Sequence, residues 1–474
     1  MKHPLSTKIL IIAGVFLLTL LLFKLLQNQM VFDNTLGRIA FTYSNTSDTA
    51  SVMDTAHITK TNKSFTTFDE AHFLHWDVVF YKYMAEHGYG RDDSWPGAGT
   101  YAFSPLFPFI WWLSHLPAPF ISVLNFLLFA ISLVILSKLF LAPEDFSRFD
   151  RACLFALALS LPSVFSFYLP YCEASFIFTL SVALWGLFRG KYWIFFVGML
   201  AFTLSRPSFL IVAMAIICTD IYFYLLHRNS KLFWRELGKK LLPIGIGIAI
   251  SFIIHFIYSG SFVKMFEVHS RFWDHNFQLP TTITDWSTES YGMNVFAICC
   301  IAIPSILILP IFMRRLYNMG NPALISLFAR NTKKDYLYVL SIVYFIGSFL
   351  FVMLTQGGNL NGLHRYIMIS PFFYIFFFII IQKAKPYTIT LLILMMLPWA
   401  ILGYLLLIHG PYQHHLSFLD GGYFLLCLTL LYFLLFNKLK RRPKLIFLLI
   451  LIFCNTIWTC YLFNHFLNNS FIIA

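Results

Sequence analysis

Apolar runs long enough to cross a bilayer, roughly 17–25 residues each, recur along almost the whole chain. Backbone polar groups inside a bilayer must be satisfied internally, so such a chain is restricted to a bundle of membrane-crossing helices. The runs fall near 9–27, 119–141, 151–169, 173–189, 191–206, 207–227, 241–258, 293–314, 336–355, 365–382, 387–408, 420–436 and 445–463. They predict an all-α polytopic membrane protein with about 13 transmembrane helices, forming a single integral membrane domain over 1–474. Charged residues make up only 12% of the chain, against roughly 25% in soluble domains. The first run follows Lys2 and Lys8 and lacks a small-residue cleavage site, so it reads as an uncleaved span rather than a signal peptide. The eight cysteines lie in or beside apolar runs, which excludes a disulfide framework and a zinc spacing.

The formal net charge of +13 would suggest nucleic acid in a soluble protein. Here it follows the cytoplasmic bias of Lys and Arg in membrane proteins, and no nucleic acid partner is expected. With the N-terminus in the cytoplasm, the segments "PEDFSRFDR", "FRGK", "HRNSKLFWRELGKK", "RNTKK" and "NKLKRRPK" are cytoplasmic. The segments "LPYCEA", 259–292, "TQGGNLNGLH" and "HGPYQHHLSFLDGG" lie outside. Residues 28–118 then form a large first outer loop, and 259–292 a second. Within the first, 33–67 is a polar insert, and the proline-rich "FSPLFPFIWWLSHLPAP" is a re-entrant or surface helix, because counting it as a span would invert every later loop. Short loops point to a bacterial cytoplasmic membrane rather than the endoplasmic reticulum.

Ionisable residues at membrane depth are functional candidates, and the outer side collects several. "FLHWDVVFYKYMAEHGYG" reads as an amphipathic interfacial helix with Phe73, Trp76, Phe80, Tyr81 and Met84 on one face. Asp77 falls within that apolar face, where a carboxylate is costly unless paired, wetted or used. Glu173 lies in "YLPYCEASF", Arg206 in "LSRPSF", and His364 and Arg365 in "NGLHRYIMISP". Asp92 and Asp93 read as a solvated turn. A structural alternative stands beside each: Glu173 pairing Arg206, or arginines snorkelling to the interface. Together, an outward carboxylate and two arginines suggest a base and an anion site, and a phosphate-bearing lipid would present its head group at that depth. A transporter or lipid flippase is the competing class, favoured by charges midway along spans; a structural subunit of a glycan-assembly complex is a third.

The segments "HWDVVFYKYMAEHGYG" and "FSPLFPFI" resemble the first outer loop of the PIG-V family, the GPI mannosyltransferase II enzymes and their bacterial relatives within the GT-C superfamily. "LPYCEASF" and "LSRPSF" are similar to that family's Tyr-x-Glu-Ala and Thr-Arg-Pro blocks, with Ser205 in place of the usual Thr and His75 in place of an Arg before Trp-Asp. "SGSFVKMFEVHSRFW" and "HRYIMISPFFYIFF" look like later family segments, so the likeness covers roughly residues 68 to 380. The resemblance implies a GT-C-like helical bundle. It also implies inverting transfer of a sugar, by family precedent mannose, from a polyprenyl-phosphate donor to a glycolipid or glycan acceptor outside the cytoplasm. It implies that Asp77 is the general base, with Trp76, Tyr171, Glu173, Arg206, His364 and Arg365 around the donor. The leaving phosphate already carries charge that arginine can neutralise, so no metal is obligatory; Asp92 or Asp93 would be the residues to hold a divalent one.

Overall fold

The computed structural model describes residues 4–26, 69–91, 94–273, 277–280, 291–317, 332–383, 401, 403 and 421–467. Every regular element among the described residues is helical. Helix α1 (Pro4–Leu26) is followed by the short α2 (Glu70–Phe73), α3 (Asp77–His87), a 3-10 segment (Gly97–Ala102) and α4 (Leu106–Ser114). Next come α5 (Ala118–Phe140), α6 (Arg148–Leu159) and a 3-10 segment (Pro162–Tyr168). The chain bends by 63° between those last two, where Pro162 cannot continue the backbone ladder of α6. Then α7 (Glu173–Arg189), α8 (Tyr192–Thr203), α9 (Phe209–His227), α10 (Ser230–Ser259) and α11 (Lys264–Trp273) follow. Helix α12 (Tyr291–Phe296) runs through a π-helical turn (Ala297–Ala302) into α13 (Ile303–Tyr317). The described helices end with α14 (Thr332–Thr355), α15 (Leu363–Ile367), α16 (Pro371–Lys383), α17 (Gly421–Leu435) and α18 (Arg441–Leu467).

Six of these stretches are long and apolar enough to cross a bilayer, or seven if the bent α6 pair counts as one. This is fewer than the thirteen apolar runs, for local reasons. Arg206 and Pro207 close the 191–206 run early, leaving the 12-residue α8. Pro371 divides the 365–382 run into α15 and α16, because the residue before a proline is driven out of helical conformation. Most of the run at 387–408, the polar insert 33–67 and most of 274–290 lie outside the described residues. "FSPLFPFIWWLSHLPAP" forms the nine-residue α4, too short to span.

Large apolar side chains such as Leu10, Leu17, Phe120, Leu127, Val197 and Ile257 stand exposed along the long helices, as a lipid-facing surface requires. Exposed tryptophans occur at both ends of the bundle, Trp193 and Trp234 at one and Trp95 and Trp112 at the other, the placement of interfacial belts. Glycines set the closest helix approach. A Cβ on Gly186 of α7 would collide with the backbone of Phe195 in α8, and one on Gly198 would meet Ala183 at 2.6 Å. Small residues let two membrane helices touch along their backbones.

Charge divides the bundle into two ends. At one, Arg148 donates to Thr7 Oγ1 (3.1 Å), Lys444 pairs with Asp150 (2.6 Å), Lys334 with Asp145 (3.5 Å) and Lys240 with Asp220 (2.6 Å). All but Asp220, which lies in the 207–227 run, come from segments expected in the cytoplasm. The opposite end gathers Asp77, Glu173, Arg206 and Arg365. Helix α1 links the two, with Thr7 at the basic end and Phe23 packed on Phe463 near the other.

Candidate functional site

Three loops meet at the end away from the basic segments, and each is fixed by a local device. The "YLPYCEA" loop is held from α5: Asn125 Nδ2 donates to the carbonyls of Leu169 (2.5 Å) and Tyr171 (3.0 Å), and Ser122 donates to Tyr168. Glu173 thus opens α7 at a helix N-terminus, where negative charge is favoured. The α8–α9 turn holds Arg206 and is covered by α4, whose Leu106 N–H donates to Leu204 O (2.9 Å). Helix α15 begins on Gly362 at φ +70. Asn294 Oδ1 accepts from both the backbone N–H of His364 (3.0 Å) and its Nδ1 (2.9 Å).

These supports bring two arginines onto one carboxylate. Arg365 donates to Glu173 Oε1 through Nη2 (2.7 Å) and Nε (3.0 Å). Arg206 Nη1 lies 3.5 Å from the same oxygen and donates to Arg365 O at 3.4 Å. Glu173 is fully buried, and its second oxygen has no hydrogen-bond partner among the described residues. The guanidinium of Arg206 covers the Tyr366 ring at 4.7 Å, and that of Arg365 lies 5.6 Å from Tyr171, so aromatic faces hold the arginines from the sides.

Asp77 reaches this group from the other direction. Its Oδ2 is 3.5 Å from Arg365 Nη2, and its side chain keeps 22% of its surface exposed, against none for Glu173. Burial raises the Asp77 carboxyl above the ordinary range; Arg365 pulls it down, and burial outweighs that pull. Asp77 is the first residue of α3, and Trp76 before it has φ +51. A tryptophan in that region is strained. The continuous helix expected from Phe73 onward is therefore broken at 74–76: Phe73 is buried in α2, while Trp76 is 39% exposed beside Asp77 rather than buried with Phe80 and Tyr81. The remaining face behaves as its periodicity predicts. Phe80 packs on Trp95, Phe103 and Trp273, and Tyr81 on Phe103 and Phe107, so α11 is drawn over α3. On the opposite face Lys82 pairs with Glu70 (2.8 Å) and Glu86 (3.2 Å).

The candidates therefore separate by position. Asp77, Glu173, Arg206, Arg365 and Tyr171 are brought together. His364 is adjacent in sequence but fully buried behind them; burial, then Arg365 and Arg206, hold its imidazole down to about 3, which leaves it neutral. Asp92 and Asp93 lie outside the described residues, and no group of three metal-ligating side chains occurs among the described residues. Sequence reasoning passed over Asn125 and Asn294. Their signal was an amide inside an apolar run, which in a membrane must find a partner. Next to the site, a cavity of about 630 Å³ runs between α1, α5 and α18, lined by Phe23, Phe73, Phe120, Tyr168 and Phe463.

What the fold and these observations define is a helical integral membrane protein with a charge cluster at one end. No known protein family, curated protein or solved structure matches the chain.

Proposed function

We infer that the protein is an inverting glycosyltransferase, built as a GT-C-like bundle in which the shorter helices also cross the membrane to approach thirteen spans. It moves a sugar, mannose by family precedent, from a polyprenyl-phosphate donor to a hydroxyl of a glycolipid or glycan on the non-cytoplasmic side. The observation that carries this reading is the partly exposed Asp77 carboxylate held against Arg365, which shares the buried Glu173 with Arg206. In the reaction the acceptor O–H gives its proton to Asp77, the oxygen attacks the anomeric carbon from the face opposite the phosphate, and the C1–O bond breaks with its electron pair leaving on the lipid phosphate.

The charge balance suits that sequence. Asp77 and Glu173 against Arg206 and Arg365 sum to zero. When Asp77 takes the proton, Glu173 and the two arginines are left with one net positive charge, just as the phosphate departs with its negative charge. The raised carboxyl of Asp77 makes it a stronger base than an exposed aspartate. Exposed Trp76 offers a ring face to a sugar, and the apolar cavity beside Phe73 offers a path for a prenyl chain. Glu173, with no exposed surface, serves to position the arginines and does not touch the sugar. The test is incubation of the purified protein with synthetic polyprenyl-phosphate mannose and extracted membrane glycolipids. Mannosylated lipid together with free polyprenyl phosphate is expected; intact donor after prolonged incubation with every acceptor fraction would remove the assignment.

A further inference from the structure

At the basic end a second site stands apart from this chemistry. A cavity of about 350 Å³ lies between α1, α5 and the start of α6. Lys8, Lys138, Arg148 and Arg151 line it, and its described lining holds no carboxylate. Asp150, the acidic residue next in sequence to Arg151, points elsewhere: it takes Lys444 at 2.6 Å and the Ser147 hydroxyl at 2.7 Å. Lys8 donates to Ser137 Oγ (2.5 Å), a neutral partner, and no carboxylate pairs with it among the described residues. The Nε–H of Arg151 is buried without a hydrogen-bond partner among the described residues. Topology alone accounts for basic residues in a cytoplasmic loop, but not for four from three helices turned onto one hollow, nor for a buried guanidinium donor left unsatisfied.

The geometry points to a binding site for the phosphate head group of an anionic phospholipid. Several cations around one hollow match an anion with more than one charged oxygen, and guanidinium forks suit phosphate. The surroundings select a lipid over a free anion. Ile11, Leu141, Pro143 and Ala152 form the apolar part of the lining, and the exposed Ile9 and Leu10 follow directly along α1. A head group in the hollow would thus lay its acyl chains against a surface that already faces lipid. Basic pockets between helices at the cytoplasmic surface hold anionic head groups in this way. The site clamps α1 to α5 and α6, and is independent of the sugar-transfer reading.

The test uses the full chain in phosphatidylcholine nanodiscs, with or without phosphatidic acid, and in phosphatidylcholine nanodiscs with inorganic phosphate. The readouts are the unfolding midpoint and the lipids retained in native mass spectrometry. Phosphatidic acid should raise the midpoint and be retained. Lys8→Gln combined with Arg151→Gln should weaken retention roughly thirtyfold, at about fivefold per cation near the surface, with the phosphatidylcholine midpoint unchanged. If that pair fails to fold, Lys138→Gln with Arg148→Gln, both at exposed positions, gives the same comparison. An equal response in wild type and variant, or no response to phosphatidic acid, overturns the site. A full midpoint shift with inorganic phosphate alone overturns the lipid assignment in favour of a soluble anion.

Discussion

Asp77 differs from its partners in one respect: it is the only carboxylate of the cluster with surface left to meet a substrate. Replacing it with Asn keeps the shape and removes the base, so turnover should fall about 10²–10⁴-fold. Stability should not fall. A carboxyl raised on folding contributes stability at low pH and loses it as pH rises through its folded value, so at neutral pH the charged form is the burden that Asn removes. The same shift fixes the acid side of the rate profile. Activity should drop as pH falls through the raised Asp77 value, above the ordinary aspartate range of about 3.9, and that limb should vanish in Asp77→Asn. Turnover and melting temperature measured on one preparation decide the matter, and normal turnover with a lowered melting temperature would make Asp77 structural. Arg365 behaves in the opposite way. Arg365→Ala strands a fully buried Glu173 and should cost about 3–5 kcal/mol of stability, moderated by Arg206 at 3.5 Å. Arg365→Lys keeps the charge but not the paired Nε and Nη2 contacts, so it should fold and turn over slowly; wild-type turnover would mean that this geometry is dispensable. The charged members of this cluster were legible in the sequence because each stands out in an apolar chain. Their pairing was not, since Glu173 and Arg365 lie 192 positions apart and only packing decides which carboxylate is buried and which stays open.

At the scale of elements, the devices that place these side chains are short and local. Helix α4 was readable from its prolines and length. The break before α3 was not, because nothing in "FLHWDVV" marks Trp76 for a positive φ; the tertiary packing of Phe73 against Phe463 and of Phe80 against Phe103 imposes it. The ends of α8 and α16 differ from the apolar runs for the complementary reason. Hydropathy reached Arg206 and ran on across Pro371, whereas α8 ends at Thr203 and α16 begins at Pro371. The close contact of α7 with α8 rests on Gly186. Gly186→Leu should force the helices apart at a cost of about 1–3 kcal/mol and displace Glu173 at the far end of α7, lowering both melting temperature and turnover. Unchanged melting of that variant would mean that the two helices separate freely.

For the whole molecule, the division of charge into two ends predicts which end faces which side. Helix α10 has 30 residues, roughly 45 Å at 1.5 Å each, enough to place its two ends on opposite faces. Cysteines at Ser230 and Ser261 should therefore label from opposite sides, Ser230 from the cytoplasm; labelling of both from one side would break the topology. The gathering of basic segments at one end was readable without coordinates, whereas the hollow lined by Lys8 and Arg151 needed the packing of three helices to become visible. The most direct measurement is made in sealed proteoliposomes of known orientation, with fluorescent polyprenyl-phosphate mannose supplied to one face at a time and both bond cleavage and leaflet position followed. The expected result is release of polyprenyl phosphate only when donor is presented on the Ser261 face, with no donor crossing the bilayer. Donor that moves between leaflets with its mannose still attached would contradict a transferase and identify a transporter.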